Sequence, residues 1–523
     1  MKKIILSFGI LLNVLLLNAQ MYLPFGYDTL NINNWAVRIA ANNSNFWNTQ
    51  TGTASAEIPQ GSGVSSIFMG NFWIGGMDDS THLHVSADRY EANGGCFTPG
   101  PFATTYDSAY YAKYNRVWKV NKSEIEYHIN HWNDVGYMMP EAIENWPGNG
   151  NLSNGEAPVL APYVDANGNS IYDPQNGDYP YILGDQAIYY ILNDDNNTDS
   201  SLVPMGLEIH VMVFGFQDTG IINNTFFMHF DIINKSSINY HDVLWGFNTD
   251  IDIGYAFDDY IGCDTTQNMY FGYNGDSDDS VSEGGYGTNP PALGVVFLTH
   301  TMQSFMTYTN EVGAMGDPTS NAQYYNCMQS YWNDGSHLQY GGNGYLTGGP
   351  DVNFAFPEYS GWTEALEGNT PGDRRGVASI SLGNIIINSC FTADVAYVWA
   401  RDTTNPDPHS SVDLLLSKIP DVLQFTNQLS IDSNCTYLSI YNGTNNPYSS
   451  IAYFNIFPNP ATDIVTIKTN LKDYSVSVYS QIGQKLIEKH NPVSFNVHEL
   501  QTGIYLIKIT DGKKTDWRKL IVE

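Results

Sequence analysis

The run Asp165-Ala166-Asn167-Gly168-Asn169-Ser170-Ile171-Tyr172-Asp173 sets oxygen-bearing side chains at its first, third, fifth and ninth positions. In a tight coil alternate residues point at one centre. Asp165, Asn167, Asn169 and Asp173, with the backbone carbonyl of Ile171, therefore match the ligand pattern of an EF-hand-type loop. Calcium suits such a set, because it accepts about six to eight hard oxygen ligands in loose geometry while magnesium demands a stricter octahedron. Two departures stand against the pattern: Ser170 occupies the position where such loops need glycine, and Asn176 the one where glutamate closes the shell. Asp178, carried round by the turn at Asn176-Gly177, is the residue expected to complete it. The competing reading is an Asx-rich turn that binds nothing.

A second acidic group runs Asp250-Ile251-Asp252-Ile253-Gly254, then Asp258-Asp259, Asp264, Asp276, Asp278 and Asp279. In an extended strand Asp250 and Asp252 project to the same side roughly 7 Å apart, close enough for one cation to bridge and costly to bury without one. Gly254, Tyr255, Phe257, Tyr260 and Gly262 between them indicate a folded loop. The expectation is a second calcium site drawing on Asp250, Asp252, Asp258 and Asp259, set against a solvated acidic surface.

Motifs for catalysis are missing. The chain has no His-Glu-x-x-His, no Gly-x-Ser-x-Gly, no phosphate-binding loop and no Gly-x-Gly-x-x-Gly after a strand. The pairs His82/His84 and His128/His131 could each supply two metal ligands, set against histidines that an alternating strand places on one face by default. A carboxylate pair for glycoside hydrolysis carries no information when acids are so abundant. Trp73, Trp132, Trp146, Trp332 and Trp362 are candidates for stacking on sugar rings, although tryptophan is more often core. No catalytic residue and no organic cofactor site is nominated.

The elements that must position these loops are mostly strands. Alternating apolar runs cover 65–76, 82–85, 208–214, 225–234, 293–298 and 393–399, separated by Asn, Asp and Gly clusters that favour antiparallel pairing. One helix is expected over 411–419, with Ser410 as cap and Pro420 as stop. With 14 per cent aromatic residues and 47 glycines in 523, the chain reads as mainly β: a large antiparallel β-sandwich-type body, one domain or two fused, plus a C-terminal immunoglobulin-like β-sandwich. Between Met21 and Tyr453 the sequence carries 11 basic and 47 acidic residues, a balance that repels nucleic acid and anionic lipid. Five cysteines, Cys96, Cys263, Cys327, Cys390 and Cys435, allow at most two bridges and leave the connectivity open.

From Phe454 the character changes. Phe457-Pro458-Asn459-Pro460 must enter as an extended lead or turn, and period-two runs follow through Ile464–Ile467, Tyr474–Val478, Phe495–Val497 and Tyr505–Ile509, with Asp511-Gly512 as a hairpin signal. With Tyr479-Ser480-Gln481-Ile482-Gly483-Gln484-Lys485, Leu500-Gln501-Thr502-Gly503-Ile504-Tyr505 and the basic stretch Lys513 to Lys519, this tail resembles the type A C-terminal sorting domain of proteins exported by the type IX secretion system of Bacteroidetes. That resemblance implies passage across the outer membrane and the secretion machinery as a partner of 454–523. At the other end, Lys2-Lys3, an apolar run from Ile4 to Leu17 and Leu17-Asn18-Ala19 read as a signal peptide over residues 1–20, too short to span a bilayer. The expected order is signal peptide 1–20, acidic body 21–441, linker 442–453 and sorting domain 454–523, with no transmembrane segment in the mature chain.

The body, from Trp73-Ile74-Gly75-Gly76 through Gly177-Asp178-Tyr179-Pro180 to Asp250–Asp264, resembles uncharacterised large surface proteins of Bacteroidetes that carry the same tail, a likeness that implies export and no particular activity. The functional expectation is a calcium-stabilised, non-enzymatic binding or adhesion module at the cell surface, with surface polysaccharide as a candidate partner. The alternative is a secreted hydrolase acting on polysaccharide.

Overall fold

The computed structural model describes residues 25–90, 95–429, 435, 440–442, 454–469, 473–480, 484–498, 500–510 and 515–522. The expected signal peptide, most of the 442–453 linker and the Asp511-Gly512 turn lie outside these.

Two large antiparallel sheets, with smaller ones beside them, build the body. The larger runs, in spatial order, Asp259–Asp264, Met269–Asn274, Ala292–Phe297, Cys390–Ala400, Thr225–Asn234, Leu207–Gly215 and Gln186–Asn193, with Thr98–Pro99 and Trp118–Asn121 on the last strand. The smaller runs Ser304–Tyr308, Arg374–Ile385, Tyr240–Ile251, Met69–Asp78 and Leu83–Ala87. Inner faces of both sheets contribute to one core, in which Phe72 and Trp245 of the smaller sheet meet Phe230 of the larger.

Period two sorts each strand. In Thr225–Asn234 the residues Phe226, Met228, Phe230 and Ile232 enter the shared core. Phe227, His229 and Asp231 therefore point the other way, and that face is buried too. Part of its cover is the helix Ser410–Gln428, whose Phe425 packs on Phe216 and Phe227. This helix corrects the shorter one expected. It runs through Pro420, and its N-cap is His409 with no side-chain cap. Proline forfeits an intrahelical hydrogen bond and crowds the carbonyl four residues back, yet the buried stripe of Leu415, Leu416 and Ile419 continues through Val422 and Thr426, so burial outweighs the break.

Cys390 and Cys435 are bridged, while Cys96, Cys263 and Cys327 are buried thiols. Trp73, Trp146, Trp332 and Trp362 are buried as well, and of the five tryptophans considered for sugar stacking only Trp132 reaches the surface.

A second compact unit gathers Tyr163–Tyr181 with Ile440–Glu523. Here Tyr163–Asp165 pairs antiparallel with Tyr179–Pro180 and parallel with Ile440–Asn442, so strand pairing groups 163–181 with the C-terminal segment although the sequence places it within the body. The tail itself is two small sheets. One has the order Phe454–Phe457, Ile464–Thr469, Ser494–Asn496; the other Lys485–His490, Ser475–Tyr479, Gly503–Thr510, Thr515–Val522. Alternation reads directly into burial: Tyr505, Ile507 and Ile509 lie in the core with Val476 and Val478, and Leu506 is exposed. The Pro-Asn-Pro lead has a physical role. Its prolines cannot donate to a ladder, so the Asn459 side chain pairs in their place, donating to the Lys519 carbonyl (2.8 Å) and accepting from the Ile521 amide (2.8 Å).

Candidate metal centres

The 165–178 loop is folded by its own carboxylates. Asp165 is buried at the end of its strand; its Oδ1 accepts the amides of Gly168 (2.6 Å) and Asn169 (3.2 Å), and its Oδ2 that of Ser170 (2.7 Å). Asn167 and Asn169 donate side-chain amides to the two oxygens of Asp173 (2.7 and 2.9 Å). Asp178 closes the loop as expected of it: Oδ1 accepts from Ala166 (2.8 Å) and Oδ2 from the Asp173 amide (2.9 Å). Burial pushes Asp178 up to about 6, while amide donors, chiefly Asn176, overcome desolvation to hold Asp173 below the usual carboxylate range. Ser170 adopts φ +62°, the left-handed conformation the missing glycine would supply, and Gly168 shares it at +78°. Ile171 accordingly contributes no side chain, and its amide bonds to the Asn169 carbonyl oxygen of the side chain (2.8 Å). All six residues named from the sequence thus occupy one short loop.

The second group divides. Asp250 is the penultimate residue of Tyr240–Ile251 and faces Arg375 across the ladder. Arg375 Nη2 donates to Asp250 Oδ2 (3.1 Å), its Nη1 to Asp373 Oδ1 (2.8 Å) and its Nε to the Tyr90 hydroxyl (2.6 Å), which in turn donates to Asp250 Oδ2 (2.6 Å). Asn310 Nδ2 reaches Asp373 Oδ2 (3.0 Å). Carboxylate oxygens of Asp250, Asp252 and Asp373 lie within 4.8 Å of one another. Burial raises the Asp250 carboxyl to about 7; for Asp252 burial again leads, reinforced by the Asp250 and Asp373 charges, and lifts it well above the usual range. Asp373 was missed by sequence reasoning, being more than a hundred residues away.

Asp258 and Asp259 stand outside that trio. Asp259 is fully buried, and its Oδ2 accepts the Ile253 amide (2.9 Å). The same bend is held by Asp279, whose Oδ1 accepts the Tyr255 amide (3.0 Å). Gly254, at φ +69°, is required there, because a Cβ would fall 2.1 Å from Asp279 Oδ2.

Other buried charges carry structure. His229 lies between Asp394 (2.7 Å) and Asp231 (3.3 Å), whose charges overcome desolvation and raise it to about 10. On the neighbouring strand His210 bonds Glu208 (3.0 Å) and Tyr189 (2.7 Å). His128 and His131 sit on the helix Lys122–His131, not on a strand as read from the sequence, with Tyr137 and Asp134 as respective partners. Among the cavities that open on the described residues of the body, two are lined by polar groups. One of about 230 Å³ is lined by Tyr308, Trp332, Phe356, Glu364 and Arg374, among others. A shallower groove of about 580 Å³ is lined by Arg89, Asn310, Asp317, Gln323 and Asp334, among others.

Residues 455–523 match the family model of the secretion system C-terminal sorting domain. No curated protein matches the chain. Among solved structures, a polysaccharide lyase aligns over 66% of this chain and 37% of its own length, at 8% identity and a TM-score of 0.18. The chain thus spans little more than a third of that structure.

Proposed function

Since residues 455–523 are a sorting domain of the type IX secretion route, which directs the chain to secretion and the cell surface, we propose that the body acts there as a calcium-stabilised binding or adhesion module. The observation that carries this reading is the tail, because it directs the body to the cell surface. The gathering of Asp165, Asn167, Asn169, Asp173 and Asp178 in one loop supports calcium as the ion, with the Ile171 carbonyl as a further ligand. Surface polysaccharide is the partner class we favour. The burial of Trp73, Trp146, Trp332 and Trp362 means that recognition would fall to other groups, such as the polar lining of the open groove.

Presenting the purified mature body with an array of surface and extracellular polysaccharides, and assaying the same set for cleavage, tests the reading. Saturable, calcium-dependent retention without turnover is expected. Reproducible turnover that disappears on one carboxylate substitution would instead establish a secreted hydrolase.

A further inference from the structure

We propose that Asp250, Asp252 and Asp373 hold one calcium-sized divalent cation, braced by Arg375. The proposal deepens the calcium reading above and rests on it for the choice of metal.

Four observations converge. Asp250 is only 2% exposed, and its Oδ1 has no hydrogen-bond partner, while Oδ2 is taken by Tyr90 and Arg375. An unpartnered carboxylate oxygen at that depth is costly, and the Asp250 carboxylate has two further carboxylates in reach. Secondly, three carboxyl groups share a single guanidinium in the cluster, an excess of acids that one divalent ion would balance on displacing their protons. Thirdly, the spacing fits. Calcium–oxygen bonds of about 2.3–2.6 Å set opposed ligands up to about 5 Å apart, so carboxylate oxygens that all lie within 4.8 Å of one another are close enough to share one such ion. Finally, the supporting contacts orient the ligands from behind. Arg375 spans Asp250 and Asp373 and Asn310 fixes the other oxygen of Asp373, so Tyr90 and Arg375 fill Asp250 Oδ2 while Asp250 Oδ1 and both oxygens of Asp373 keep a lone pair for an ion. Asn310, which holds Asp373, also lines the open groove.

The test counts calcium bound to the full mature chain by equilibrium dialysis and elemental analysis, for the wild type, Asp252→Asn, Asp373→Asn and Asp165→Ala, with magnesium alone as a parallel arm. Asp252→Asn and Asp373→Asn are each expected to lose one calcium that Asp165→Ala retains, with affinity at this site at least about tenfold weaker. Melting of Asp252→Asn supplies a second readout. Removing one like charge should raise its melting temperature above wild type in chelator, and removing a ligand should lower it below wild type in calcium. A full wild-type count in both cluster variants, or a shift of the same sign in chelator and calcium, overturns the proposal. Loss of an ion from Asp165→Ala alone would leave the loop reading intact and remove this one. Full retention by Asp165→Ala, beside loss in the cluster variants, would do the reverse.

Discussion

A chain ending at residue 453 is expected to stop behind the outer membrane, and residues 454–523 fused to an unrelated folded protein are expected to carry that protein to the surface. The effect should be close to all-or-none, because the tail is a separate fold. It has its own core around Val476, Val478, Ile507 and Leu520 and its own two sheets. Val478→Asp, which puts a charge at a fully buried position of that fold, is expected to block export like the deletion. Cell fractionation and surface protease accessibility read both results. Normal display of the truncated chain would overturn the assignment of the tail.

Arg375→Met is expected to cost about 3–5 kcal/mol of stability in chelator, the loss typical of a buried ion pair stripped of one partner. Arg375 is 6% exposed in its side chain and joins Asp250, Asp373 and Tyr90, so methionine fills much of the volume but leaves a buried carboxylate facing two others without a counter-charge. Lys418→Met is the control. Its partner Asp421 is 3.9 Å away, both side chains are well exposed, and such pairs contribute at most about 1 kcal/mol. Urea unfolding of the two variants should separate them clearly. Equal, small losses would mean that the Arg375 network is no more than surface decoration.

The tail was readable because its information is local. Each of its strands buries one face, so Tyr505, Ile507 and Ile509 separate from Leu506 within a few residues, and Asn459 between two prolines marks the entry. In the body the same alternation is masked. Strands such as Leu207–Gly215 are buried on both faces, and nothing in their sequence says what covers the second one. The helix ran past Pro420 for a related reason, since burial of Val422 and Thr426 decided its length against local propensity. The 165–178 loop was legible for the same reason as the tail, its ligands being consecutive. The cluster at Asp250 was half legible: Asp250 and Asp252 lie two residues apart, but Asp373 arrives through the pairing of Tyr240–Ile251 with Arg374–Ile385. One signal for it was present. In a body with 11 basic residues, the adjacent arginines of Asp373-Arg374-Arg375 indicate buried acids in need of charge, and the structure supplies Glu364 for Arg374 and Asp250 for Arg375.

The central claim, that calcium holds the exported body together, is tested most directly by thermal unfolding of the mature protein in chelator and in calcium at a hundredfold excess over the dissociation constant. Ligand linkage predicts a gain of about 2.7 kcal/mol for each occupied site, seen as a rise in melting temperature that Asp165→Ala reduces. An unchanged melting temperature, in the wild type and in Asp165→Ala alike, would contradict it.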